Sequence, residues 1–418
     1  MVMTQVTPPV AEPAPRASLL RGNPAFRMLC MSRAVSFIGD GITLTALVLL
    51  VAPRDGSAGV GMLLLANALP RFGGTLAGVL ADRIQTRRLM LACDLAQALV
   101  IAAIAVTLPP LPVLVPLVAL AGVLATIRNP AGRSLIPVLV APSDRTAANA
   151  LFGMSRTLQL AIGPALGGLL AAGPGGLRTA LAVDAATFLV SALLLTRLPS
   201  IAPARDPNET TGIWADAAAG IRYVATHRRV RVLVLTLFVV VAFAAVDNVA
   251  LVFLTSDDLD AGPAGYGLAA SAFGAGMLLA SLACIRLARG RSPVALLIVA
   301  IAATGIGMLA TGAAPILAVV MAAQLIAGVG NAVENIGYDT IIQDLVPRPF
   351  LGRVFGTLGT AAQLGAGLAY AVAGLLVDLV GARTTFMLAG IGTLAVLPIL
   401  IHTLRNKAPH DATVSVER

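Results

Sequence analysis

Apolar stretches of about 20 residues, the length that crosses a bilayer as a helix, can be placed twelve times along this chain of 418 residues. No other feature restricts the fold so strongly. A backbone inside hydrocarbon must satisfy its own hydrogen bonds, and for stretches of this length that leaves helices. The approximate limits are 26–52, 58–80, 88–108, 111–134, 145–172, 177–198, 229–254, 264–287, 293–312, 314–340, 351–378 and 382–404. Composition agrees: 58% of residues are apolar and 12% charged, where soluble domains run about half apolar and roughly a quarter charged. No secretory signal is expected, because the first apolar stretch contains Arg33 and Asp40 and no small-residue cleavage site follows it.

Loop charge then sets the orientation. The chain has 29 Lys+Arg against 20 Asp+Glu, a formal charge of +9, which could suggest a nucleic-acid partner. The positions argue against that. Arginines gather in alternate loops: Arg16 and Arg21; Arg83, Arg87 and Arg88; Arg145; Arg197 to Arg231; Arg286 to Arg291; Arg348 and Arg353; Arg405. The intervening loops hold little more than Arg54, Arg178 and Arg383, beside the acidic run Asp257-Asp258-Leu259-Asp260. Arginine-rich loops mark the cytoplasmic face. A multi-pass protein of the cell membrane with both termini cytoplasmic is therefore expected, with the lipid bilayer and no nucleic acid as partner. Cys30, Cys93 and Cys284 lie far apart in apolar stretches, and His227, His402 and His410 fall in a loop or near the C-terminus, so no metal site is expected.

The long loop 199–228 divides the chain. The expected organisation is a disordered tail 1–25, a six-helix bundle 26–198, the linker 199–228, a second bundle 229–404 and a tail 405–418. Within the linker Ile213, Trp214, Ala217, Ile221 and Val224 recur at helical spacing beside Arg222, Arg228 and Arg229, which suggests an amphipathic helix on the membrane surface. The bundles repeat each other. Residues 121–140 align without a gap on 327–346, identical at seven of twenty positions: Ala121, Gly122, Val123, Asn129, Ile136, Leu139 and Val140 with their counterparts. Repeated halves are a mark of secondary transporters.

Between the second and third stretches lies Gly78-Val79-Leu80-Ala81-Asp82-Arg83-Ile84-Gln85-Thr86-Arg87-Arg88. This G-x-L-A-D-R-x-x-x-R-R pattern resembles the loop between helices 2 and 3 of the major facilitator superfamily. The resemblance implies an all-α membrane fold of two pseudo-symmetric six-helix bundles. It also implies a cytoplasmic gating relay of Gly78, Asp82, Arg83, Arg87, Arg88 and, in the third span, Asp94. Gly220-Ile221-Arg222-Tyr223-Val224 before Arg228-Arg229 resembles the branch that contains macrolide and enterobactin exporters. Gly163-Pro164-Ala165-Leu166-Gly167-Gly168 is similar to the G-P-x-x-G-G core of the family's antiporter motif, although Gln159 stands where a glycine is expected. The loop Arg286 to Arg291 is a degenerate copy of the opening motif without its aspartate.

Charges in mid-span are costly and usually face a cavity or a partner. Arg33 and Asp40 are seven residues apart, two turns on one helix face. Asp40 is either a protonatable carboxylate exchanging between proton and substrate or Arg33, or half of a fixed ion pair. The repeat sets Arg128-Asn129 against Glu334-Asn335, opposite charges at equivalent positions. The resemblance places spans 1, 4, 7 and 10 around a central cavity, so Arg128 and Glu334 could meet as a gate across the pseudo-two-fold axis when the cytoplasmic side closes; the alternative is two independent helix-end charges. Asp247-Asn248 adds a further candidate for proton or substrate binding. Asp94 and Asp184 read as partners of arginines, and Arg71, Arg156, Gln159, Gln324 and Gln363 as further members of the polar network.

No phosphate-binding G-x-x-x-x-G-K-[ST], G-x-S-x-G or paired-histidine pattern is present. The expectation is therefore not an enzyme but a monomeric transporter without cofactor, exporting an amphipathic small molecule by proton antiport. An importer or lipid flippase on the same fold, or a membrane sensor without transport, are the alternatives.

Overall fold

The computed structural model describes residues 16–73, 84–199, 213–287 and 292–405. After a short helix, Arg16–Gly22, the chain enters its first long helix, α1 (Pro24–Ala68), through Asn23. The Asn23 side chain accepts from the Phe26 amide at 2.9 Å, and Pro24 occupies the first turn, where no amide proton is needed. With the 3-10 turn Leu69–Gly73 this apolar stretch is 50 residues long. A straight helix of that length would reach about 75 Å against ~30 Å of hydrocarbon. It turns back at Gly56, whose φ of 66° lies in the left-handed region that favours glycine.

The helices that follow include α2 (Thr86–Thr107), α3 (Leu111–Ser134), α4 (Arg145–Ala172), α5 (Gly176–Thr196), α6 (Ile213–Thr226), α7 (Arg228–Ala244), α8 (Asp247–Phe253), α9 (Gly262–Leu287), α10 (Pro293–Ala313), α11 (Leu317–Leu345), α12 (Arg348–Ala395) and α13 (Leu397–Arg405). The 48-residue α12 breaks at Gly381, with φ of 80°, as α1 does at Gly56. No strand occurs among the described residues, and nine of their helical stretches are long and apolar enough to cross a membrane. The seventh expected span is not one continuous α-helix. It is interrupted at residues 245–246, between α7 and α8, and runs on into a π-helical turn, Leu254–Asp258.

Helices pack in two groups. In the N-terminal half α1 lies on α3, α4 and α5, and α2 lies on α3 and α5; in the C-terminal half α10 and α9 lie on α11, while α7 and α10 lie on α12. Two seams join the halves, α4 against α9 and the second arm of α1 against α12. Both seams depend on small residues that let backbones meet. A Cβ at Gly168 would stand 2.4 Å from the Pro263 carbonyl, one at Gly267 2.3 Å from that of Pro164, and one at Gly61 2.4 Å from that of Tyr370. Ser57 Oγ donates across the second seam to the Gly374 carbonyl at 2.8 Å, and the Ala165 amide donates across the first to Ser271 Oγ at 2.7 Å. These contacts lie toward the arginine-poor ends of the helices. The linker helix α6 packs on α12, with Gly220 over the Arg353 carbonyl and the Tyr223 ring stacked on Phe350.

A central cavity walled by both halves

The seams leave a cavity of about 700 Å³ between the halves, with an adjoining chamber of about 380 Å³. Arg71, Arg156, Gln159, Asn248, Gln363 and Tyr370 line both, so the two spaces share one polar wall. The first chamber reaches Asp40, Asn129 and Asp184; the second reaches Asp247, Gln324 and Asn331.

The N-terminal half contributes an ionic network built around Arg128, which is 0% exposed. One arm of its guanidinium donates to Asp40 at 3.0 Å and the other to Asp94 at 2.9 Å. Asp94, 1% exposed, also accepts from Ser191 Oγ at 2.6 Å, and Ser191 contacts Ser32 Oγ at 2.7 Å. Helices α1, α2, α3 and α5 are thus tied by one buried chain of charge and hydroxyl. Asp40 differs from Asp94 in one respect: its side chain is 19% exposed and stands in the cavity wall. It is both a salt-bridge partner and an accessible carboxylate.

Arg33 does not partner Asp40. Its Nη2 donates to Asn129 Oδ1 at 2.5 Å, and its guanidinium lies 4.3 Å from the centre of the Phe37 ring. Two turns put Arg33 and Asp40 on one face but about 10 Å apart along the axis, whereas Arg128 approaches Asp40 from the neighbouring helix. Asp184, expected beside an arginine, is met by hydroxyls instead: Thr43 Oγ1 donates at 2.5 Å and Thr187 Oγ1 at 2.9 Å. Gly39 leaves it room, since a Cβ there would fall 2.0 Å from the Asp184 carboxylate.

In the C-terminal half Asp247 accepts from Gln324 Nε2 at 2.7 Å, and Asn248 is exposed beside it. Glu334 does not meet Arg128. Both guanidinium arms are occupied within the N-terminal half, while Glu334 is 2% exposed and one of its oxygens has no hydrogen-bond partner. It shares a helix face with Gly330 and Gly337, which press against Thr304 and Leu297 of α10. The charge-reversed repeat therefore places these residues inside two different bundles and not across an axis in this conformation. Asn335 is exposed and bonds only to Asn331 of its own helix. Asp339 and Arg133 are exposed as well.

Of the gating residues, Gly78, Asp82 and Arg83 lie outside the described residues, as does most of the degenerate loop Arg286 to Arg291. Arg87 Nη1 donates to the Leu198 carbonyl at 2.9 Å and Arg88 is exposed. The Gly163-Pro164 motif is accounted for by packing. Gly163 meets Gly41, and Gly167 meets Ile42 and Thr45, both on α1, while Gly168 meets α9. The hydroxyls of Ser32, Thr43, Thr187 and Ser191 were not singled out from the sequence. Their only signal is a polar residue inside an apolar stretch, which most spans of this chain share.

Two helical halves enclosing a polar, partly ionic cavity within membrane-length helices are the construction of a multi-pass membrane transporter. Residues 17–367 match the profile described as "transmembrane secretion effector", and the chain belongs to that family of the major facilitator superfamily. It is 26% identical to the uncharacterized MFS-type transporter YfiS of Bacillus subtilis, covering 89% of this chain and 91% of that protein. It is 28% identical to the multidrug efflux pump Tap of Mycolicibacterium fortuitum (84% and 88%) and 25% identical to the enterobactin exporter EntS of Shigella boydii (95% and 97%). Its fold matches a solved variant of the nucleoside transporter NupG with a TM-score of 0.78 at 13% identity, covering 91% of this chain and 99% of that one.

Proposed function

We propose that this protein exports an amphipathic small molecule across the cell membrane by proton antiport, with Asp40 as the coupling carboxylate. The observation that carries this reading is the double position of Asp40, in the cavity wall and on Arg128. A proton arriving through the cavity neutralises Asp40 and cancels its attraction for Arg128, which remains held by Asp94. The tie between α1 and α3 weakens, and the conformer that depends on it loses its advantage. A substrate that offers Asp40 a hydrogen-bond donor competes with the proton for the same carboxylate, so proton and substrate exclude each other.

Both termini face the cytoplasm, the protein works as a monomer without a cofactor, and the energy comes from the proton gradient. The seams at the arginine-poor ends make the present conformer inward-facing. The homologous efflux pumps and exporters support the outward direction of flux. The test is efflux of a chemically diverse compound panel from cells expressing wild type or Asp40→Asn, with and without a protonophore. Efflux lost with both protonophore and substitution is the expected result. Efflux that survives the substitution moves coupling to Asp247 or Glu334, and accumulation in place of efflux overturns the direction.

A further inference from the structure

Arg71 and Arg156 are charges for which the coupling network has no use. Arg71 stands in the turn after α1 and Arg156 in the fourth turn of α4; both are exposed, and both line the two chambers. Arg71 donates to Asn67 Oδ1 at 3.0 Å, a neutral acceptor. Among the described residues no carboxylate forms an ion pair with either. They are near enough for the Arg71 charge to repel that of Arg156, and Arg133 adds to the repulsion.

The carboxylates of the cavity are engaged elsewhere. Asp40 is held by Arg128, Asp184 by two threonines and Asp247 by Gln324. Arg71 and Arg156 thus face a shared space walled by Gln159, Asn248, Gln363 and Tyr370; among the described residues neither is ion-paired, although Asp40, Asp184 and Asp247 line the same chambers. An arginine without an ion-pair partner attracts an anion from solution, and the guanidinium fork matches the oxygens of a carboxylate or phosphate.

We propose that Arg71 and Arg156 form an anion subsite of the central cavity, and that the transported molecule carries a carboxylate or phosphate group that seats between them. The word transported rests on the export reading; the site itself is a matter of binding, and its test reads binding. The full chain is purified in an uncharged maltoside, which contains no phosphate. A xanthene dye is titrated by fluorescence anisotropy as its free carboxylate and as its methyl ester.

The acid should bind wild type more tightly than the ester. Arg71→Gln and Arg156→Gln should each weaken the acid about tenfold, the effect of one charge-assisted hydrogen bond, and leave the ester unchanged; Arg156→Lys should lose less. In thermal unfolding, inorganic phosphate compared with chloride at equal ionic strength should raise the wild-type Tm. The double glutamine variant should lose that rise. If both dyes respond alike to the substitutions and phosphate shifts both proteins equally, the subsite does not exist. Stabilisation by added anionic phospholipid alone, with neither acid dye nor phosphate effective, would assign the arginines to a lipid headgroup and also overturn the proposal. Selective binding of the acid by a protein that moves no compound in cells would keep the subsite and refute transport.

Discussion

Gly168→Ala should shift the balance between the two faces of the protein. The new methyl carbon would stand 2.4 Å from the Pro263 carbonyl oxygen and 2.9 Å from Gly267 Cα, all backbone of α9, where ordinary contact begins near 3.4 Å. The helices must therefore part by about 1.0 Å, the difference between 3.4 and 2.4. Overpacking of this kind costs ~1–3 kcal/mol. The cost falls on the conformer sealed along the α4–α9 seam and is relieved when that seam opens. A penalty of about 2 kcal/mol changes the ratio of two conformers roughly 30-fold. Distances between spin labels at residues 55 and 379 read the change. Both positions are exposed at turns on the sealed side, one in each half, and the native cysteines are first replaced. The variant should gain a longer-distance population. Gly359→Ala, whose new methyl meets nothing within 4 Å, should not. If Gly168→Ala leaves the distribution unchanged, or Gly359→Ala moves it equally, the seam does not control access.

Two further substitutions test buried charges and a third the linker helix. Arg128→Met strands Asp40 and Asp94 without their shared cation, a loss of about 3–5 kcal/mol for a broken buried pair; the Tm should fall, and adding Asp94→Asn should recover part of it. If Arg128→Met unfolds at the wild-type temperature, the network is not structural. Glu334→Met removes a buried carboxyl oxygen that has no partner, a burden of about 1–3 kcal/mol, so the Tm should hold or rise while export persists. A large fall in Tm would show that Glu334 has an unseen partner, and loss of export alone would give it a coupling role. Gly220→Ala in α6 would bring a methyl within 2.6 Å of the Arg353 carbonyl. Limited proteolysis of the linker should then accelerate, and an unchanged rate would mean that α6 does not depend on that contact.

The helices and their approximate ends were legible because hydrophobic length is a local property. The residues at the turns, Gly56 and Gly381, satisfy a left-handed φ that few other side chains adopt. Which charges sit in apolar surroundings was legible for the same reason. Partnership was legible only in part: Asp94 does pair with an arginine, Arg128, while the partners of Asp40 and Asp184 were not foreseen. Helical periodicity assigns a residue to a face but says nothing about the height at which the next helix presents its own side chains. Arg33 and Asp40 share a face, yet Asp40 is reached by Arg128 from α3. Hydroxyl partners leave still less trace. Thr43 and Thr187 satisfy Asp184 without any charge that could have marked the pairing.

In this conformation the reversed charges of the repeat do not meet. Equivalent positions in two pseudo-symmetric halves face equivalent neighbours, each within its own bundle, so reversed charge across a repeat does not imply contact. Arg128 has two carboxylates around it, while Glu334 at the equivalent position has no ion pair among the described residues. The difference bears on mechanism. In the N-terminal half, moving one proton onto Asp40 changes the energy of a bridge between two helices. In the C-terminal half, Asp247 rests on a neutral amide, and protonating it breaks no ion pair. A rocking cycle needs only one of its bundles to sense protonation, provided the seams transmit the change. On the proposed proton-antiport reading the sensing bundle is the N-terminal one, and the glycine seam of α4 with α9 is its most direct mechanical link to the other half.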